Sequence, residues 1–379
     1  MRAALALLMV VCSAAPQAQT LVDFSVAERA VIRSFGPWPP PRTLANDASN
    51  RWQDRPAVVS YGRRLFFDSG LSADGLRSCA SCHDPSRAFQ DGRAVAEGRA
   101  AGPRNTPSLL DVADRRWFGW DGAHDSLWSA SLAPLLDARE MAMSIEALAA
   151  AVRNDPQRLA AHRAAFGAAL PSDDRALVVQ LAKALAAYQA ILRSPRVAFD
   201  RFRDALVRGD RRAAVRYPIA AQRGLRLFIG RGRCSVCHAG PAFTNDEFAD
   251  IGIPFFVAGG GADAGRHGGL TRLLTSPLTR LGEFSDARAD ADPRAVLTRH
   301  LKIEPRHFGE FRVPGLRQLT RTAPYMHNGS LATLEEVVRH YDRLDEERLH
   351  ADGERILRRL NLSEQEAADL VAFLRTLSE

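Results

Sequence analysis

The sequence has 379 residues, which is enough for two domains that each bury a core or a cofactor. Hydrophobic residues make up 46% and charged residues 25%, a balance that argues against a disordered or fibrous chain. The formal net charge is +7, but the basic residues are spread among acidic ones. We therefore favour a general solvated surface over a nucleic-acid site, with steering of an acidic protein partner as a weaker alternative.

Residues 1–19 have the pattern of a secretory signal peptide. Arg2 is followed by an apolar run, Ala3 to Val11, and then by small residues. This run is too short to span a bilayer, and no other segment of the sequence is long and apolar enough to do so. Cys12 invites a lipid anchor, but the bulky Val11 before it argues against one. We expect an exported, periplasmic protein without a membrane span.

Helical periodicity dominates the sequence after an irregular start. Residues 20–55 are predicted to be irregular and to wrap over a domain surface, because four prolines lie between positions 37 and 41. Alternating strand patterns are scarce, so the predicted fold class is mainly α. The glycine-rich stretch Gly259 to Gly269 follows no clear strand and is predicted to be a mobile loop, not a phosphate site. The predicted helical stretches are Ile145 to Gly167, Arg175 to Arg193, Leu331 to Leu344 and Ser363 to Leu377, the last opened by a capping box of Ser363 and Glu366.

An internal duplication divides the chain. A Gly-x-x-Leu-Phe segment precedes a Cys-x-x-Cys-His unit in each half, and a phenylalanine follows each unit. The paired segments are Gly62 to Phe66 with Cys79 to His83 and Phe89, and Gly224 to Phe228 with Cys234 to His238 and Phe243. One such unit per domain explains the repeat. We predict an N-terminal domain at 56–215 and a C-terminal domain at 216–379, with the boundary near Pro218.

Cys-x-x-Cys-His is the attachment signature of c-type haem. Two thiols at this spacing reach the two vinyl groups of one porphyrin, and the adjacent imidazole becomes the proximal iron ligand. Cys79, Cys82, Cys234 and Cys237 are the only cysteines left after signal cleavage. A four-cysteine zinc site would leave His83 and His238 unexplained, and redox dithiols or disulfides are the other rivals. The sequence therefore predicts two covalently bound haems.

Further motifs, in order and spacing, point to a known family. They are Gly62 to Ser72, Gly102 to Pro107, Trp120 to Gly122, Glu140-Met141, Phe311 to Arg317 and Thr322 to Gly329. With the two haem units, these motifs resemble those of the bacterial dihaem cytochrome c peroxidase and MauG superfamily over nearly all of the mature chain. The resemblance implies two cytochrome-c-like haem domains packed face to face. It also implies a peroxide-reactive N-terminal haem and an electron-transfer C-terminal haem.

The resemblance also implies the remaining iron ligands. Peroxidases of the family place a Met on the C-terminal haem, fourteen residues after the His that matches His327, and this chain has Tyr341 there, as MauG-like members do. Periodicity alone would make Tyr341 a core residue of a helix. A phenolate lowers the iron potential, so Tyr ligation suits a haem that stores an oxidising equivalent. Many peroxidases place a distal His near the position of Glu97, but no His occurs between His83 and His124, which predicts an open N-terminal iron.

Several other roles follow from the same resemblance. Glu140 matches the distal acid–base residue, Pro134 a pocket-wall proline, and Trp120 the tryptophan that relays charge between the haems. An ordinary helix-start acid and a core aromatic are the plainer interpretations of Glu140 and Trp120. The family also holds a calcium ion between the domains, at positions that match Asn105, Thr322 and Pro324.

A finer resemblance concerns the substrate. Phe35 to Pro40 and Trp117 to Trp128 look like the MbnH-like branch, whose members convert a tryptophan of an MbnP-like copper-binding partner to kynurenine. Members that mature a tryptophylquinone have a Trp at the place of Gly232, so that substrate is disfavoured. The predicted function is oxidation of a partner protein, at a tryptophan, by hydrogen peroxide. The alternatives are peroxide reduction with electrons from a small cytochrome or cupredoxin, and non-enzymatic electron transfer.

Overall fold

A computed structural model describes residues 20–41, 47–254, 256, 261–349 and 356–379. Within these ranges the protein is mainly helical, which confirms the predicted fold class. The predicted signal peptide, residues 1–19, lies outside the described residues. Fourteen α-helices occur in the described ranges: α1 Val26–Ser34, α2 Pro56–Phe66, α3 Cys79–Cys82, α4 Leu127–Leu136, α5 Ile145–Arg153, α6 Pro156–Phe166, α7 Asp174–Gln189, α8 Ala198–Arg208, α9 Arg211–Ala214, α10 Ile219–Ile229, α11 Arg266–Thr275, α12 Pro293–Arg299, α13 Leu334–Asp342 and α14 Glu364–Arg375.

Two hydrophobic cores lie in the two halves of the chain. The first surrounds α7, whose residues are apolar and buried on nearly all sides, and is completed by α2, α4, α5 and α6. The second packs α8, α10, α13 and α14 together with α1. The two cores therefore follow the duplication seen in the sequence.

The repeated glycine of each half allows two helices to cross closely. A Cβ at Gly62 in α2 would overlap the backbone carbonyl of Ala184 in α7. A Cβ at Gly224 in α10 would likewise overlap the carbonyl of Asp369 in α14. Only glycine allows these backbones to approach so closely. The Gly-x-x-Leu-Phe segments thus set the position of the helix that leads into each Cys-x-x-Cys-His unit.

The prediction of an irregular start was wrong for one segment. Residues 26–34 form α1, opened by a capping box in which Ser25 accepts from the Glu28 amide and Glu28 accepts from the Ser25 amide. The prolines that suggested irregular structure lie after this helix. Phe35 follows α1 into the second core, whereas Ser49 accepts the indole N–H of Trp128 in the first core. The N-terminal segment thus contacts both halves.

Two other boundaries differ from the sequence prediction. The stretch Ile145 to Gly167 is two helices, because Asp155 caps α6 by accepting from the amides of Gln157 and Arg158 and Pro156 starts it. The glycine-rich stretch ends inside a helix, since α11 begins at Arg266. Positions 255 and 257–260 of this region lie outside the described residues. The other predicted helices are present with shifted ends.

The halves meet along polar contacts, beside one short sheet that belongs to the C-terminal half. Strand β1 (Phe248–Ala249) pairs antiparallel with β2 (Phe311–Arg312), with Phe248 opposite Arg312. Arg104 of the N-terminal half forms ion pairs with Asp263 of the other half and with Asp121, which also pairs with Arg272. Two cytochrome-like halves therefore face each other across buried charges.

A segment of the C-terminal half packs on the N-terminal core. Leu278 and Phe284 contact that core, and the buried Arg280 donates to the Asp125 carbonyl and the Asp292 carboxylate. Chain order and packing therefore disagree for this segment. No helix in the described ranges is long and apolar enough to cross a membrane.

Candidate haem sites

The first Cys-x-x-Cys-His unit forms a short helix with a fixed imidazole. Cys79 and Cys82 begin and end α3 and are not joined in a disulfide. His83 follows, and its Nδ1 lies 3.0 Å from the backbone oxygen of Phe89. A carbonyl requires a donor, so Nδ1 carries the proton and Nε2 keeps its lone pair. Burial lowers the pKa of His83, which also favours the neutral imidazole.

The second unit repeats this geometry. Nδ1 of His238 lies 3.0 Å from the backbone oxygen of Phe243, and burial lowers the pKa of this imidazole too. Phe89 and Phe243 have φ values of 59° and 56°, a left-handed conformation that is uncommon for non-glycine residues. The phenylalanine after each unit therefore supplies the carbonyl that orients the histidine. Sequence reasoning noted these residues but did not assign this role to them.

A large cavity lies beside the second unit. Its volume is about 1190 Å³, large for a small-molecule site and sufficient for a porphyrin. Cys234, Cys237, His238 and Tyr341 line it together. Burial raises the pKa of the Cys234 thiol to about 12. A buried pair of thiols, an imidazole with an available nitrogen and an apolar chamber fit a covalent haem.

Tyr341 lies near the end of α13 on the wall of this cavity. Burial raises the pKa of its phenol, and the charges of Cys234 and Cys237 raise the pKa further. The structure therefore brings Tyr341 to the same chamber as His238, although the two are more than a hundred residues apart in sequence. Met326 and His327 also line the cavity and are further potential ligands there.

Glu140 lies on the loop after α4 and faces the first cysteine pair. Burial raises the pKa of its carboxyl and the neighbouring Asp137 raises it further, while Arg139 opposes both. The charge of Glu140 in turn raises the pKa of Cys79 and Cys82, which places the carboxylate near both thiols. A half-buried carboxyl with a raised pKa suits proton transfer.

Two neighbours support the position of Glu140. Pro134, inside α4, accepts the amide of Met141 through its carbonyl at 3.2 Å. The backbone of the loop that carries Glu97 donates to the Arg139 carbonyl, from the amides of Arg99 and Ala100. The loop on which related peroxidases carry a distal histidine thus packs directly against the Glu140 segment, with the exposed Glu97 paired to Arg93.

Trp120 and Asn105 connect the halves. The indole N–H of Trp120 donates to the Asn105 carbonyl at 2.8 Å, and the Trp120 carbonyl accepts from the Arg312 amide at 2.7 Å. Trp120 also lines the cavity beside the second Cys-x-x-Cys-His unit. It therefore extends from the N-terminal half to the wall of that cavity.

The three positions matched to calcium all line the same cavity. These are Asn105, Thr322 and Pro324. The Asn105 amide donates to the His327 carbonyl at 2.7 Å, and Gln90 donates to the Ala323 carbonyl at 2.9 Å, so both chain segments are fixed across the domain interface. The Asn105 side-chain amide donates to the Arg93 carbonyl. Its oxygen and two nearby carbonyls have the chemistry that calcium prefers.

The interface charges and one aromatic residue were not anticipated from the sequence. Trp38 lines the cavity beside the second Cys-x-x-Cys-His unit, and the Arg317 guanidinium lies 3.6 Å from the centroid of the Trp38 ring. Asp121 is almost fully buried between Arg104 and Arg272. Only the placement of Asp121 in the Trp-Asp-Gly motif was available as a signal, because the arginines lie far apart in the chain.

Comparison with known proteins decides the family. The family model described as di-haem cytochrome c peroxidase matches residues 56–209. The methylamine utilization protein MauG of Methylorubrum extorquens is 36% identical over 324 residues, which cover 85% of this chain and 78% of that protein. The chain belongs to the dihaem cytochrome c peroxidase and MauG family. Its members are haem oxidoreductases, so this chain is an enzyme with two c-type haems, as its sequence predicts.

Two further members show how far the family resemblance extends. Cytochrome-c peroxidase IdrP1 of Denitromonas iodatirespirans is 32% identical over 387 residues, which cover 97% of this chain and 90% of that protein. The crystal structure of a MauG-like protein associated with microbial copper homeostasis superposes with a TM-score of 0.67 at 28% identity. That match covers 91% of this chain and 96% of the other. The family fold therefore extends over nearly the whole chain.

Proposed function

We propose that this protein is a periplasmic enzyme that uses hydrogen peroxide to oxidise a tryptophan of a partner protein. In this proposal Cys79 and Cys82 attach the first haem and His83 binds its iron. Cys234 and Cys237 would attach the second haem, and His238 and Tyr341 would bind its iron. The partner is a copper-binding protein of the MbnP-like kind.

The position of Tyr341 carries the proposal. Tyr341 and His238 line the same cavity beside the second Cys-x-x-Cys-His unit. Tyr341 occupies the sequence position that matches the Met of the family's peroxidases. A phenolate ligand lowers the iron potential, whereas a Met raises it. A low potential disfavours uptake of electrons from a small redox donor and favours retention of oxidising equivalents. Such a haem suits oxidation of a protein side chain.

The residues of the first site support peroxide chemistry. A bound haem supplies an iron that transfers two electrons to peroxide, which with two protons yields two waters. Glu140 would accept a proton from one peroxide oxygen and return it to the other as the O–O bond breaks. Its half-buried position raises the pKa of the carboxyl, which suits a group that accepts and returns a proton. Pro134 holds the backbone of this loop, and Trp120 passes electrons between the halves.

The partner chemistry can be written in full. Two peroxide molecules oxidise one tryptophan to N-formylkynurenine, with cleavage of the indole C2–C3 bond and release of two waters. Hydrolysis then yields kynurenine and formate. The partner thus gains one oxygen atom and loses one carbon atom. The similarity to a MauG-like protein associated with copper homeostasis supports a copper-binding partner.

We also propose that calcium binds Asn105, Thr322 and Pro324. The side-chain oxygen of Asn105 and the two backbone carbonyls would join one segment from each half. The contacts of Gln90 and Asn105 across the interface support this placement.

A second candidate function is peroxide reduction with electrons from a small cytochrome or cupredoxin. The similarity to a cytochrome-c peroxidase over 97% of the chain favours this alternative. It requires the second haem to accept electrons easily, which Tyr341 as a ligand would oppose.

Co-expression with the copper-binding partner tests the proposal. The partner should gain one oxygen and lose one carbon at a single tryptophan only when this enzyme is present. Tyr341→Met should retain both haems but lose this modification, whereas Met326→Leu should retain it. An unchanged partner mass, together with rapid peroxide turnover by a reduced cytochrome, would establish the second candidate instead.

A further inference from the structure

Four of the five tryptophans have a cation over the indole ring. Arg317 lies 3.6 Å from the ring centroid of Trp38 and Arg266 lies 4.9 Å from that of Trp117. Lys183 lies 5.6 Å from Trp128, while Arg51 and Arg55 lie 4.7 Å and 4.4 Å from Trp52. Trp120 is the exception: no arginine or lysine of the described ranges lies over its ring.

A cation over an indole makes the loss of an electron from that ring harder. The reduced ring attracts the cation through its π-electrons, whereas a ring that has lost an electron is positive and is repelled. The effect is large in a buried setting, where the effective dielectric constant is low. The distribution of cations therefore disfavours oxidation at four tryptophans and leaves Trp120 as the ring from which an electron is most easily removed.

Arg266 differs from the other two buried cations in having no carboxylate in direct contact, although Asp121, Glu247, Glu310 and Asp246 act on it at longer range. Arg317 is paired with Asp200 at 2.8 Å, and Lys183 with Asp286 at 2.7 Å. Arg266 is 3% exposed and forms no ion pair within the described part of the chain. It donates to two backbone carbonyls, that of Gly122 at 2.8 Å and that of Asp121 at 3.3 Å.

Arg266 also contacts the tryptophan that is nearest to Trp120 along the chain. Its guanidinium contacts Trp117 and lies 3.9 Å from the ring centroid of Phe248. Trp117 is 6% exposed and precedes Trp120 by three residues, so it is the tryptophan nearest to the relay along the chain. Loss of an electron from Trp117 instead of Trp120 would oxidise a buried side chain of this protein and not the partner.

We propose that Arg266 is a positioning residue that keeps oxidation off Trp117 and so confines it to Trp120 and the partner. The proposal rests on the peroxide-driven function above. In the misdirected step the Trp117 ring and one water molecule together lose two electrons and two protons, one proton from each, and the remaining hydroxyl bonds to the ring to give hydroxytryptophan. Hydrogen peroxide accepts the two electrons and two protons and leaves as two waters.

Peptide mass spectrometry of the haem-loaded enzyme, after peroxide treatment without partner, tests this role. In the Arg266→Met variant the fraction of Trp117 that carries one added oxygen should rise at least about tenfold over wild type. Arg266→Lys keeps the charge and should keep Trp117 intact. Arg272→Met is the matched control, because Arg272 pairs with Asp121 but lies over no ring of the described residues.

The outcomes separate this inference from the proposed function. Peroxide consumption without a rise at Trp117 in Arg266→Met overturns the role of Arg266 and leaves the proposed function standing. A rise of oxidised Trp117 in this variant, together with an unmodified partner, supports the role of Arg266 and contradicts the proposed oxidation of the partner. If the wild-type enzyme consumes no peroxide, both proposals are wrong. If Arg266→Met fails to fold, peptide mass spectrometry of the peroxide-treated wild-type enzyme tests the proposal. Equal oxygen uptake at Trp117 and Trp120 would then contradict it.

Discussion

At the scale of single residues, the neighbours of each side chain determine what it can do. His83 and His238 are ordinary imidazoles until a phenylalanine carbonyl fixes the proton on Nδ1 of each. Glu140 is an ordinary carboxyl until burial and Asp137 raise its pKa. Both effects come from residues within ten positions in sequence, yet both depend on how the chain turns between them.

Replacement of the Glu140 carboxyl should slow the reaction with peroxide. Glu140→Gln keeps the size of the side chain but cannot transfer a proton, so the rate should fall by roughly two to four decades. Stopped-flow absorbance after peroxide addition measures this rate. Both haems should remain attached, and a wild-type rate in this variant would show that another group transfers the proton.

The pH dependence of the same rate should report the environment of Glu140. The carboxyl must be ionised to take a proton from peroxide, so the rate should fall as pH drops through its raised pKa. Asp137→Asn removes the like charge and frees Arg139 from its 2.9 Å ion pair, and both changes lower that pKa. The acid limb of the profile should therefore move to lower pH in this variant. A limb that stays in place would mean that Glu140 does not control it.

At the scale of elements, the segment around α1 holds the second haem unit from outside. Phe35 is fully buried and stacks on Phe243 with ring centroids 4.7 Å apart. Phe243 is the residue whose carbonyl orients His238. The N-terminal segment therefore supports the iron-binding side chain through two aromatic rings, although it is far from that side chain in sequence.

Removal of the Phe35 ring should destabilise this half. Phe35→Ala leaves a cavity among Phe199, Phe228 and Phe243 and should lower the free energy of unfolding by about 3–5 kcal/mol. Val26→Ala, at an exposed position of α1, should change the free energy of unfolding by less than about 0.5 kcal/mol. Denaturant unfolding followed by circular dichroism compares the two. Equal stability of both variants would show that the segment does not support the core.

At the scale of the whole molecule, many polar contacts hold the two halves together, and several of them are buried. Arg104 bridges Asp121 and Asp263, and Gln90 reaches the backbone beside Thr322. Buried ion pairs contribute modest net stability but fix one relative placement, because any other placement leaves charges unpaired. The position of Trp120 on the wall of the cavity beside the second Cys-x-x-Cys-His unit depends on this relative placement of the halves.

Calcium removal tests the proposed link between the halves. Chelation should release one ion per molecule and lower stability by about 2–3 kcal/mol relative to protein held at about a hundredfold excess over the dissociation constant. Metal analysis and thermal unfolding measure both effects. Asn105→Ala should bind less calcium than wild type, whereas Asn328→Ala, at a partly buried position outside the proposed ligand set, should bind as much. A calcium-free protein with unchanged stability would contradict the site.

The sequence by itself determined the cofactor chemistry and the fold class. Two Cys-x-x-Cys-His units set the attachment of two haems, because the spacing of thiols and imidazole is local and survives any fold. Helical periodicity indicated the mainly α class for the same reason. The capping box of Ser25 and Glu28 was also readable, although the prolines after it led to the wrong prediction.

Only the tertiary structure decided which distant residues meet. The approach of Tyr341 to His238, the pairing of Arg104 with Asp263 and the packing of Leu278 on the opposite core join positions far apart in the chain. No local pattern encodes such contacts, since they arise from how helices cross at Gly62 and Gly224 and how the halves then face each other. The cations over Trp38, Trp117 and Trp128 also come from distant parts of the chain, so only the tertiary structure places them over these rings.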